Sequence, residues 1–405
     1  MSAKWIFAAA SLLCAQWTPE LHMKVQGVGD VTPSPDGRWV AWTQTVAVMD
    51  GEKSEMLTQI YLGRADGAVR FQLTRGEKSA ASPSFSPDSQ YVYFTSARDK
   101  GNQVFRIPVD GGEAEAVTSF NGALGNYELS PNGKWIAFSS NREGQFEIYT
   151  MPSTGGEPRR LTYHTANDYV MDWSPDGTKI LFYGRRSTES WQQYALDIKS
   201  GHVSQLTDDR LQLRFSAWSP DGERIAYSRS VGGFTWYRPL YHGSGSSQIY
   251  VKNLASKAIT RVSTHDGTDI FPLFSSDGKE IFYVTDQLSP GSPNIVRKSL
   301  PNGRLAQVTR HQRDAVRFPS IARNGSLIAY QVAGALWTVR PDGSRPTQLT
   351  VYAPTDTKQN LTLRQTLTGS ATEVEISPDG RTLALVIRGD IWTIPADRGG
   401  EARRL

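Results

Sequence analysis

Histidine, cysteine, serine and acidic residues are the side chains of this sequence that could support catalysis or bind a metal. The six histidines are spread along the chain, and none has the His-x-x-x-His or Cys/His spacing that is typical of metal sites. No Gly-x-Ser-x-Gly sequence is present, so the sharp turn that exposes the serine nucleophile of α/β-hydrolases is missing. No glycine-rich phosphate loop follows a strand and opens a helix. The sequence therefore predicts no catalytic residue, no metal ligand and no cofactor site.

An aromatic insertion is the strongest candidate for a binding surface. Residues 234–247 combine four aromatic side chains with a Gly/Ser-rich tail. Insertions in repeat proteins collect on one face, where aromatic side chains can anchor a peptide or a partner domain. The alternative is that the segment packs on its own repeat as a plug. The candidate contact residues are Phe234, Trp236, Tyr237, Arg238, Tyr241 and His242.

The elements that must position these side chains are marked by a turn sequence that occurs eight times. It has the form Ser-Pro-Asp-Gly or a close variant, and successive copies are 44 to 56 residues apart. Proline presets φ at the first corner, Asp or Asn bonds its own backbone two residues on, and Gly adopts positive φ at little steric cost. A period of roughly 40–50 residues built from short strands is typical of propeller blades. The copies begin at Ser34, Ser86, Ser130, Ser174, Ser219, Ser275, Ala322 and Ser377.

Strand-like runs flank each turn. In the fourth repeat, Tyr169–Trp173 and Lys179–Tyr183 surround the turn, and Gln193–Asp197 and Val203–Leu206 complete a unit of four strands. The sequence therefore predicts an all-β β-propeller of eight four-stranded blades around a central channel. Seven blades, or a six-bladed ring over roughly residues 121–350 with extra blades outside it, are the alternatives. The expected blades span approximately residues 30–75, 80–118, 122–162, 168–207, 212–263, 268–309, 314–350 and 370–405. Because the first and last units each supply four strands, we expect closure by side-chain packing without a shared strand.

The N-terminus has the pattern of an export signal. Lys4 precedes an apolar stretch, Trp5–Ala15, that is too short to span a bilayer. We interpret residues 1–15 as a signal peptide and residues 21–405 as the propeller, and we expect a periplasmic or extracellular protein. An ordinary N-terminal segment is the alternative. The only cysteine is Cys14, so the mature chain would depend on packing between blades for its stability.

Composition excludes two classes of partner. The chain has 44 basic and 40 acidic residues, which gives a net charge of +4. Because the basic and acidic residues nearly balance, the sequence does not favour nucleic acid or an anionic membrane surface as a binding partner. No membrane span is predicted.

Several segments resemble known propeller repeats. Phe138–Pro152 and Gly155–Thr162 closely resemble the WD40-like (PD40) repeat of TolB and its relatives. Segments within Met23–Val31 and Glu52–Ser79 are similar to the N-terminal propeller of prolyl-oligopeptidase-type serine peptidases, in the acylaminoacyl-peptidase branch. The resemblance implies a TolB-like propeller over nearly the whole chain.

The later part of the chain is similar to tricorn-type peptidases. This similarity begins at Asn121 and is clearest over Ala371–Gly380 and Arg388–Trp392. Both peptidase families place their serine nucleophile in a later domain, so the resemblance carries no catalytic residue over to this chain. The sequence stops at Leu405, where the repeat normally continues with Thr, and we expect a hydrolase domain to lie elsewhere.

Three functional hypotheses follow from the resemblance. The first is the non-catalytic propeller of an exported serine peptidase, which gates or binds peptides for a hydrolase domain absent from this chain. Its partners would be a peptide substrate or a C-terminal hydrolase domain. The second is a stand-alone periplasmic propeller, like TolB, that binds other periplasmic proteins. The third, an enzyme complete in 405 residues, would need a Ser–His–Asp set assembled in space.

Overall fold

The structure is a computed structural model that describes residues 27–50, 53–99, 101–187, 190–208, 212–230, 241–243, 245–349, 371–387, 390–397 and 402–404. Over these ranges the chain forms β-strands, turns and irregular segments and contains no helix, so no described segment is a helix able to cross a membrane. Thirty-two strands make eight four-stranded antiparallel sheets in the described ranges, which confirms the predicted all-β propeller class. The predicted signal peptide, residues 1–15, lies outside the described residues.

The sheets are numbered 1 to 8 along the chain, and each uses four consecutive strands as neighbours. Sheet 1 contains β1 (Gly27–Pro33), β2 (Trp39–Asp50), β3 (Lys53–Arg64) and β4 (Arg70–Gln72). Sheet 2 contains β5 (Ala80–Phe85), β6 (Tyr91–Asp99), β7 (Gly101–Pro108) and β8 (Glu115–Ala116). Sheet 3 contains β9 (Leu124–Leu129), β10 (Trp135–Ser140), β11 (Glu147–Pro152) and β12 (Arg159–Arg160). Sheet 4 contains β13 (Asp168–Trp173), β14 (Lys179–Gly184), β15 (Gln192–Asp197) and β16 (Val203–Gln205).

The remaining four sheets follow the same plan. Sheet 5 contains β17 (Gln212–Trp218), β18 (Arg224–Ser230), β19 (Gln248–Asn253) and β20 (Ile259–Arg261). Sheet 6 contains β21 (Ile270–Phe274), β22 (Glu280–Thr285), β23 (Asn294–Ser299) and β24 (Leu305–Gln307). Sheet 7 contains β25 (Arg317–Ile321), β26 (Ile328–Val332), β27 (Ala335–Val339) and β28 (Thr347–Leu349). Sheet 8 contains β29 (Ala371–Ile376), β30 (Thr382–Ile387), β31 (Asp390–Pro395) and β32 (Arg403–Arg404).

The repeated turn joins the first and second strands of each sheet. In sheet 1, Ser34 Oγ donates to Asp36 Oδ1 at 2.6 Å and accepts from the backbone N–H of Trp39 at 2.9 Å. Gly37 adopts a φ of +71°, as the turn requires. The side chains of the turn are thus occupied by bonds to the turn itself. The same pair of bonds is present in the turns that begin at Ser86, Ser130, Ser174, Ser219, Ser275 and Ser377.

Buried apolar clusters lie between neighbouring sheets. For example, Ala137 and Ile148 of sheet 3 pack with Val170 and Phe182 of sheet 4. Six such clusters join the successive pairs from sheets 1 and 2 to sheets 6 and 7. Middle strands are therefore apolar at consecutive positions, because a neighbouring sheet covers each of their faces.

A seventh cluster closes the ring. Val40 and Trp42 of sheet 1 pack with Ala329 and Leu336 of sheet 7, and β1 contacts β25, β26 and β27. Each sheet uses its own four strands, so no strand is shared across this seam. Packed side chains form it together with hydrogen bonds between sheets 7 and 1. The six-bladed alternative is not what forms, because sheets 1 and 2 belong to the ring.

The chain divides into two compact units, Met1–Tyr352 and Ala353–Leu405. The first unit contains sheets 1 to 7, and these seven sheets make up its closed ring. The second contains sheet 8, in which the turn at Ser377 has the same hydrogen bonds as the turns of the ring. Eight four-stranded sheets are present in the described ranges. The ring of the first unit contains seven of them, which is the blade number of the seven-bladed alternative.

Candidate functional site

The first strands of the seven sheets surround the axis of the ring. Neighbouring first strands contact one another, as in β1 with β5, β9 with β13, β13 with β17, β17 with β21, β21 with β25 and β25 with β1. Sheets 2 and 3 are joined at this level by Tyr127, whose hydroxyl donates to the backbone oxygen of Ser82 at 2.7 Å. The side chains that these strands turn toward the axis therefore form the wall of a central channel.

Two tiers of side chains make up this channel wall. Tier 1 lies four residues before the first residue of each turn, and tier 2 lies two residues before it. In tier 2 every side chain is partly exposed, whereas the residues on either side of it in most strands are buried against the neighbouring sheets. Tier 1 consists of Asp30, Ser82, Asn126, Val170, Phe215, Phe271 and Phe318. Val170 is the exception in this tier, because its side chain is fully buried between sheets 3 and 4 and does not line the channel. Tier 2 consists of Thr32, Ser84, Glu128, Asp172, Ala217, Leu273 and Ser320.

Bulges in the first strands set the direction of tier 1. The pairing of β1 with β2 skips between Gly29 and Thr32, and equivalent shifts occur in the first strands of the other sheets. Positive φ is rare for a residue with a side chain and is a steric outlier for phenylalanine. Such outliers concentrate at functional sites. Tier 1 contains five of them: Asp30 at +46°, Ser82 at +53°, Phe215 at +47°, Phe271 at +59° and Phe318 at +48°.

Three phenylalanines form one side of the wall. The ring centroids of Phe215 and Phe271 are 4.4 Å apart, and those of Phe271 and Phe318 are 5.5 Å apart. Phe318 is 37% exposed, although it belongs to the innermost strand of sheet 7. We call these three residues the phenylalanine cluster. They give sheets 5 to 7 an aromatic surface facing the axis, of the kind that holds apolar side chains of a ligand.

The opposite side of the wall is polar. Asp30 Oδ2 accepts from the backbone N–H of Ser82 at 3.3 Å, and Asn126 Nδ2 donates to the backbone oxygen of Val170 at 3.1 Å. Both bonds connect neighbouring sheets. Sheets 1 to 4 therefore present hydrogen-bonding groups to the axis where sheets 5 to 7 present aromatic rings.

Glu128 and Asp172 add an acidic pair to the polar side. Burial, and after it the charge of Asp172 on the adjacent sheet, raise the pKa of Glu128 to about 8. Burial also raises the pKa of Asp172, to about 6. The backbone N–H of Trp173, which donates to Asp172 Oδ1 at 2.7 Å, acts in the opposite direction and lowers this pKa. The pair therefore changes its charge near neutral pH.

A guanidinium group crosses the turn side of the channel. Arg323 of sheet 7 stands where most copies of the turn have proline, and its Nη1 donates to the backbone oxygen of Pro131 at 3.2 Å. Pro131 belongs to the turn of sheet 3, across the ring from sheet 7. The positive charge of Arg323 lowers the pKa of both Glu128 and Asp172. Arg323 thus links opposite sides of the ring beneath the acidic pair.

Of the residues predicted from the aromatic insertion, Tyr241 and His242 are described. The hydroxyl of Tyr241 accepts from the backbone N–H of Gly245 at 3.2 Å. The imidazole of His242 is exposed and meets that of His265 edge to face, with ring centroids 5.5 Å apart. Both lie at the end of the insertion next to sheet 6, and neither belongs to the channel wall. The other four candidates, Phe234, Trp236, Tyr237 and Arg238, lie outside the described residues.

Sequence reasoning missed the channel wall, although a signal for it was present. The eight repeats can be aligned on their turns. The residues two and four positions before each turn then show which repeats have an aromatic residue there and which have an acidic residue. The turns alone do not reveal which strand faces the axis, so this comparison had no structural meaning before the ring was known. Within the described ranges, no group of three or more His, Cys, Asp or Glu residues is arranged to hold a metal ion.

Comparison with known proteins places the chain among propellers of peptidases and TolB. It is 28% identical over 134 residues to the Tol-Pal system protein TolB of Helicobacter hepaticus, covering 33% of this chain and 28% of that protein. It is 25% identical over 290 residues to Dipeptidyl-peptidase 5 of Porphyromonas gingivalis, covering 66% of this chain and 38% of that protein. The match thus spans less than two fifths of either relative.

A solved structure of similar fold is an acylaminoacyl peptidase in complex with Z-Gly-Gly-Phe-chloromethyl ketone. The TM-score is 0.60 at 14% sequence identity, and the match covers 95% of this chain and 60% of that one. This likeness concerns the fold alone. Together with the two relatives, it confirms the resemblance to TolB and to acylaminoacyl peptidase that the repeats predicted.

A family model matches more than half of the chain. It is the model of the tricorn protease N-terminal beta propeller domain, and it covers residues 111–345. The matched region includes the first strands of sheets 3 to 7, and therefore the acidic pair, Arg323 and the phenylalanine cluster. The chain belongs to the family of tricorn protease N-terminal beta propeller domains.

Proposed function

We propose that this propeller binds extended peptides in its channel and passes them to a serine hydrolase domain outside these residues. The observation that carries the proposal is the two-sided channel wall, with the phenylalanine cluster facing polar and acidic side chains. An extended peptide has the same two needs, because its apolar side chains require a dry surface and its backbone N–H groups require acceptors. The relation to peptidase propellers supports the same substrate class.

The ring also favours extended chains over folded ones. Seven first strands surround the axis, and Arg323 reaches across it at the turn side. A folded domain would have to separate sheets that are joined by seven buried clusters. An unfolded segment would only have to displace water and, at the turn side, the single hydrogen bond of Arg323. The channel would therefore act as a filter for unfolded substrates.

The first test measures peptide binding to the channel. A short unstructured peptide with leucine and phenylalanine side chains is labelled with a fluorophore, and its anisotropy is followed as the full chain is added. Phe318→Ser removes an exposed aromatic side chain of the wall, and we expect binding to weaken about tenfold. The matched control is Ile259→Ser on the outermost strand of sheet 5, because Ile259 is also an exposed large apolar residue.

Two results would contradict the proposal. One is equal binding by the wild type and Phe318→Ser, with both variants folded. The other is equally tight binding of a stably folded domain that contains the same peptide sequence. Weak binding by Ile259→Ser would show that the loss at Phe318 is a general surface effect.

The second candidate function is a propeller that binds other exported proteins on its rim. The similarity to TolB favours it. The two functions predict opposite results for one variant, because a rim interface would be insensitive to Phe318→Ser. Export itself is part of both proposals. It is tested by fusing residues 1–26 to a phosphatase that is active only outside the cytoplasm, with Lys4→Glu as the variant expected to reduce export.

A further inference from the structure

Two of the repeats have a buried aspartate at the same repeat position. This position lies six residues before the first residue of the turn, at or next to the start of the first strand. Asp168 of sheet 4 and Asp269 of sheet 6 stand there, and each is 0% exposed. A charge in such a place is costly unless a cation meets it. The other five sheets of the ring have aliphatic side chains instead: Val28, Ala80, Leu124, Leu213 and Val316.

In sheet 4 the chain itself supplies the cation. Arg186 Nε donates to Asp168 Oδ1 at 2.9 Å, and Arg186 Nη2 forms a second bond to Asp168 Oδ2. The guanidinium carbon also lies 5.0 Å from the ring centroid of Phe182. This site therefore has three parts: a buried carboxylate, an aromatic ring, and a guanidinium that binds both.

Sheet 6 keeps two of these parts and lacks the third. Asp168 pairs with Gly184 across β13 and β14, and the register of β21 and β22 places Asp269 opposite Thr285 in the same way. Counting from these partners, Tyr283 takes the position of Phe182 and Gln287 takes the position of Arg186. Tyr283 is close enough for the charge of Asp269 to raise its pKa, after burial as the larger cause.

The groups around Asp269 do not replace the missing guanidinium. Neither carboxylate oxygen of Asp269 has a hydrogen bond of good geometry, although the hydroxyls of Thr285 and Ser263 are near enough to lower its pKa. Arg261 is near enough for its charge to lower the pKa of Asp269, but its guanidinium donates to the backbone oxygens of Ser263 and His265. Burial is the largest effect and raises the pKa of Asp269 to about 7.

His265 does not neutralise the site in this arrangement. Its Nδ1 is 3.9 Å from Asp269 Oδ1 and 3.6 Å from Asp286 Oδ1. The same Nδ1 accepts the backbone N–H of Gly267 at 3.1 Å. A nitrogen that accepts this bond presents a lone pair, so it has no proton to give to either carboxylate.

We propose that the edge of sheet 6 binds a guanidinium group from outside the chain, the arginine side chain of an unfolded peptide. The guanidinium bonds Asp269 and lies over Tyr283, as Arg186 bonds Asp168 and lies over Phe182. To reach Asp269, the guanidinium of the peptide passes the half-buried Gln287 and the partly exposed His265. The exposed His242, at the end of the aromatic insertion, lies beside this route. This site is separate from the channel wall and does not depend on the proposed channel function.

The test compares two peptides that differ only in one terminal group of the side chain, a positively charged guanidinium or a neutral urea. Acetyl-Gly-Arg-Gly-amide and its citrulline analogue are titrated into the full chain by calorimetry near pH 8, above the pKa of Asp269. Citrulline has the shape of arginine without its charge, and we expect it to bind at least about tenfold more weakly. Asp269→Asn is expected to abolish the difference, and the control Asp266→Asn, an exposed aspartate of the same loop, is expected to preserve it.

A second variant keeps the test independent of any folding defect in Asp269→Asn. Gln287→Arg places a guanidinium at the position of Arg186, and we expect a higher melting temperature and loss of arginine-peptide binding. Phe318→Ser is expected to leave this binding unchanged, so the failure of the channel proposal and the failure of this one are distinguishable.

Three outcomes would overturn the inference. They are equal binding of the arginine and citrulline peptides, undiminished binding by Gln287→Arg, and binding that is seen only in Arg238→Gln. The last outcome would assign the site to an arginine of the chain's own insertion.

Discussion

Glu128 and Asp172 are the only charged residues in tier 2 of the described channel wall; the other five sheets have Thr, Ser, Ala or Leu there. The two acids lie on adjacent sheets. Burial opposes the ionisation of both, and the charge of Asp172 also opposes the ionisation of Glu128. Carboxylic acids at a fixed repeat position thus make one side of the ring responsive to pH.

The first prediction at this scale concerns stability against pH. Because the pKa of Glu128 is raised from 4.5 to about 8 in the folded state, the folded protein binds more protons than the unfolded chain between these values. Stability therefore falls as pH rises through this window. Glu128→Gln removes the ionisation, and we expect it to recover on the order of 2–3 kcal/mol near pH 9 and much less near pH 5.

The measurement is urea unfolding of the wild type and Glu128→Gln at several pH values. Glu223→Gln, an exposed glutamate of the turn in sheet 5, is the control and should shift stability equally little at every pH. Parallel pH profiles for the wild type and Glu128→Gln would show that Glu128 is ionised at no cost.

At the scale of the element, a hydroxyl fastens the outer end of six of the described sheets. A threonine or serine after the fourth strand accepts a backbone N–H from the third strand at 2.8–2.9 Å in sheets 1 to 6. In five of these sheets it also donates to a Gln, Glu or Asn side chain 15 residues earlier. The short fourth strands thereby gain bonds that their two or three residues could not make. The hydroxyls belong to Thr74, Thr118, Thr162, Thr207, Ser263 and Thr309.

The prediction for this element is made in sheet 2. Thr118→Val preserves the shape of the side chain but removes its bonds to the N–H of Val104 and to Gln103 Oε1. Buried groups that lose their partner cost about 1–3 kcal/mol, and we expect destabilisation in that range. The control is Thr260→Val on the outermost strand of sheet 5, where the threonine is exposed and the effect should stay within about 0.5 kcal/mol. Equal melting temperatures for the two variants would refute the fastening role.

At the scale of the whole ring, the seam between sheets 7 and 1 joins residues far apart in sequence. Asn324 Nδ2 donates to the backbone oxygen of Asp36 at 2.8 Å, and the backbone N–H of Asn324 donates to Pro35 O at 3.0 Å. Thr338 Oγ1 donates to the backbone oxygen of Ala65 at 3.2 Å. With no strand shared across it, the seam depends on these bonds and on the cluster around Trp42.

A matched pair of variants tests the seam. Asn324→Ala removes two bonds within its turn, both from Ser326, and the side-chain bond across the seam. Asn132→Ala, at the same turn position in sheet 3, removes only bonds within its turn. We expect Asn324→Ala to cost about 1 kcal/mol more in the free energy of unfolding, which is the usual worth of one hydrogen bond. Equal losses in denaturant titrations would mean that the seam gains nothing from Asn324.

The amino-acid sequence by itself determined the turns, the strands and the repeat. Each turn is held by bonds between residues at most five positions apart, such as Ser34 with Asp36 and Trp39, so local chemistry suffices to place it. Apolar residues at consecutive positions then indicate strands covered on both faces. These local signals predicted the all-β propeller and its four-stranded units, and the residues of the repeat predicted its peptidase and TolB relatives.

Tertiary structure alone decided which sheets close the ring and which side chains face its axis. Closure brings Asn324 to Asp36 across 288 positions, and it depends on how the twist of successive sheets accumulates, which no single repeat records. The phenylalanine cluster, the acidic pair and Arg323 come from sheets that meet only once the ring exists. The same holds for Asp269, because its lack of a guanidinium is visible only beside the Asp168 and Arg186 pair of sheet 4.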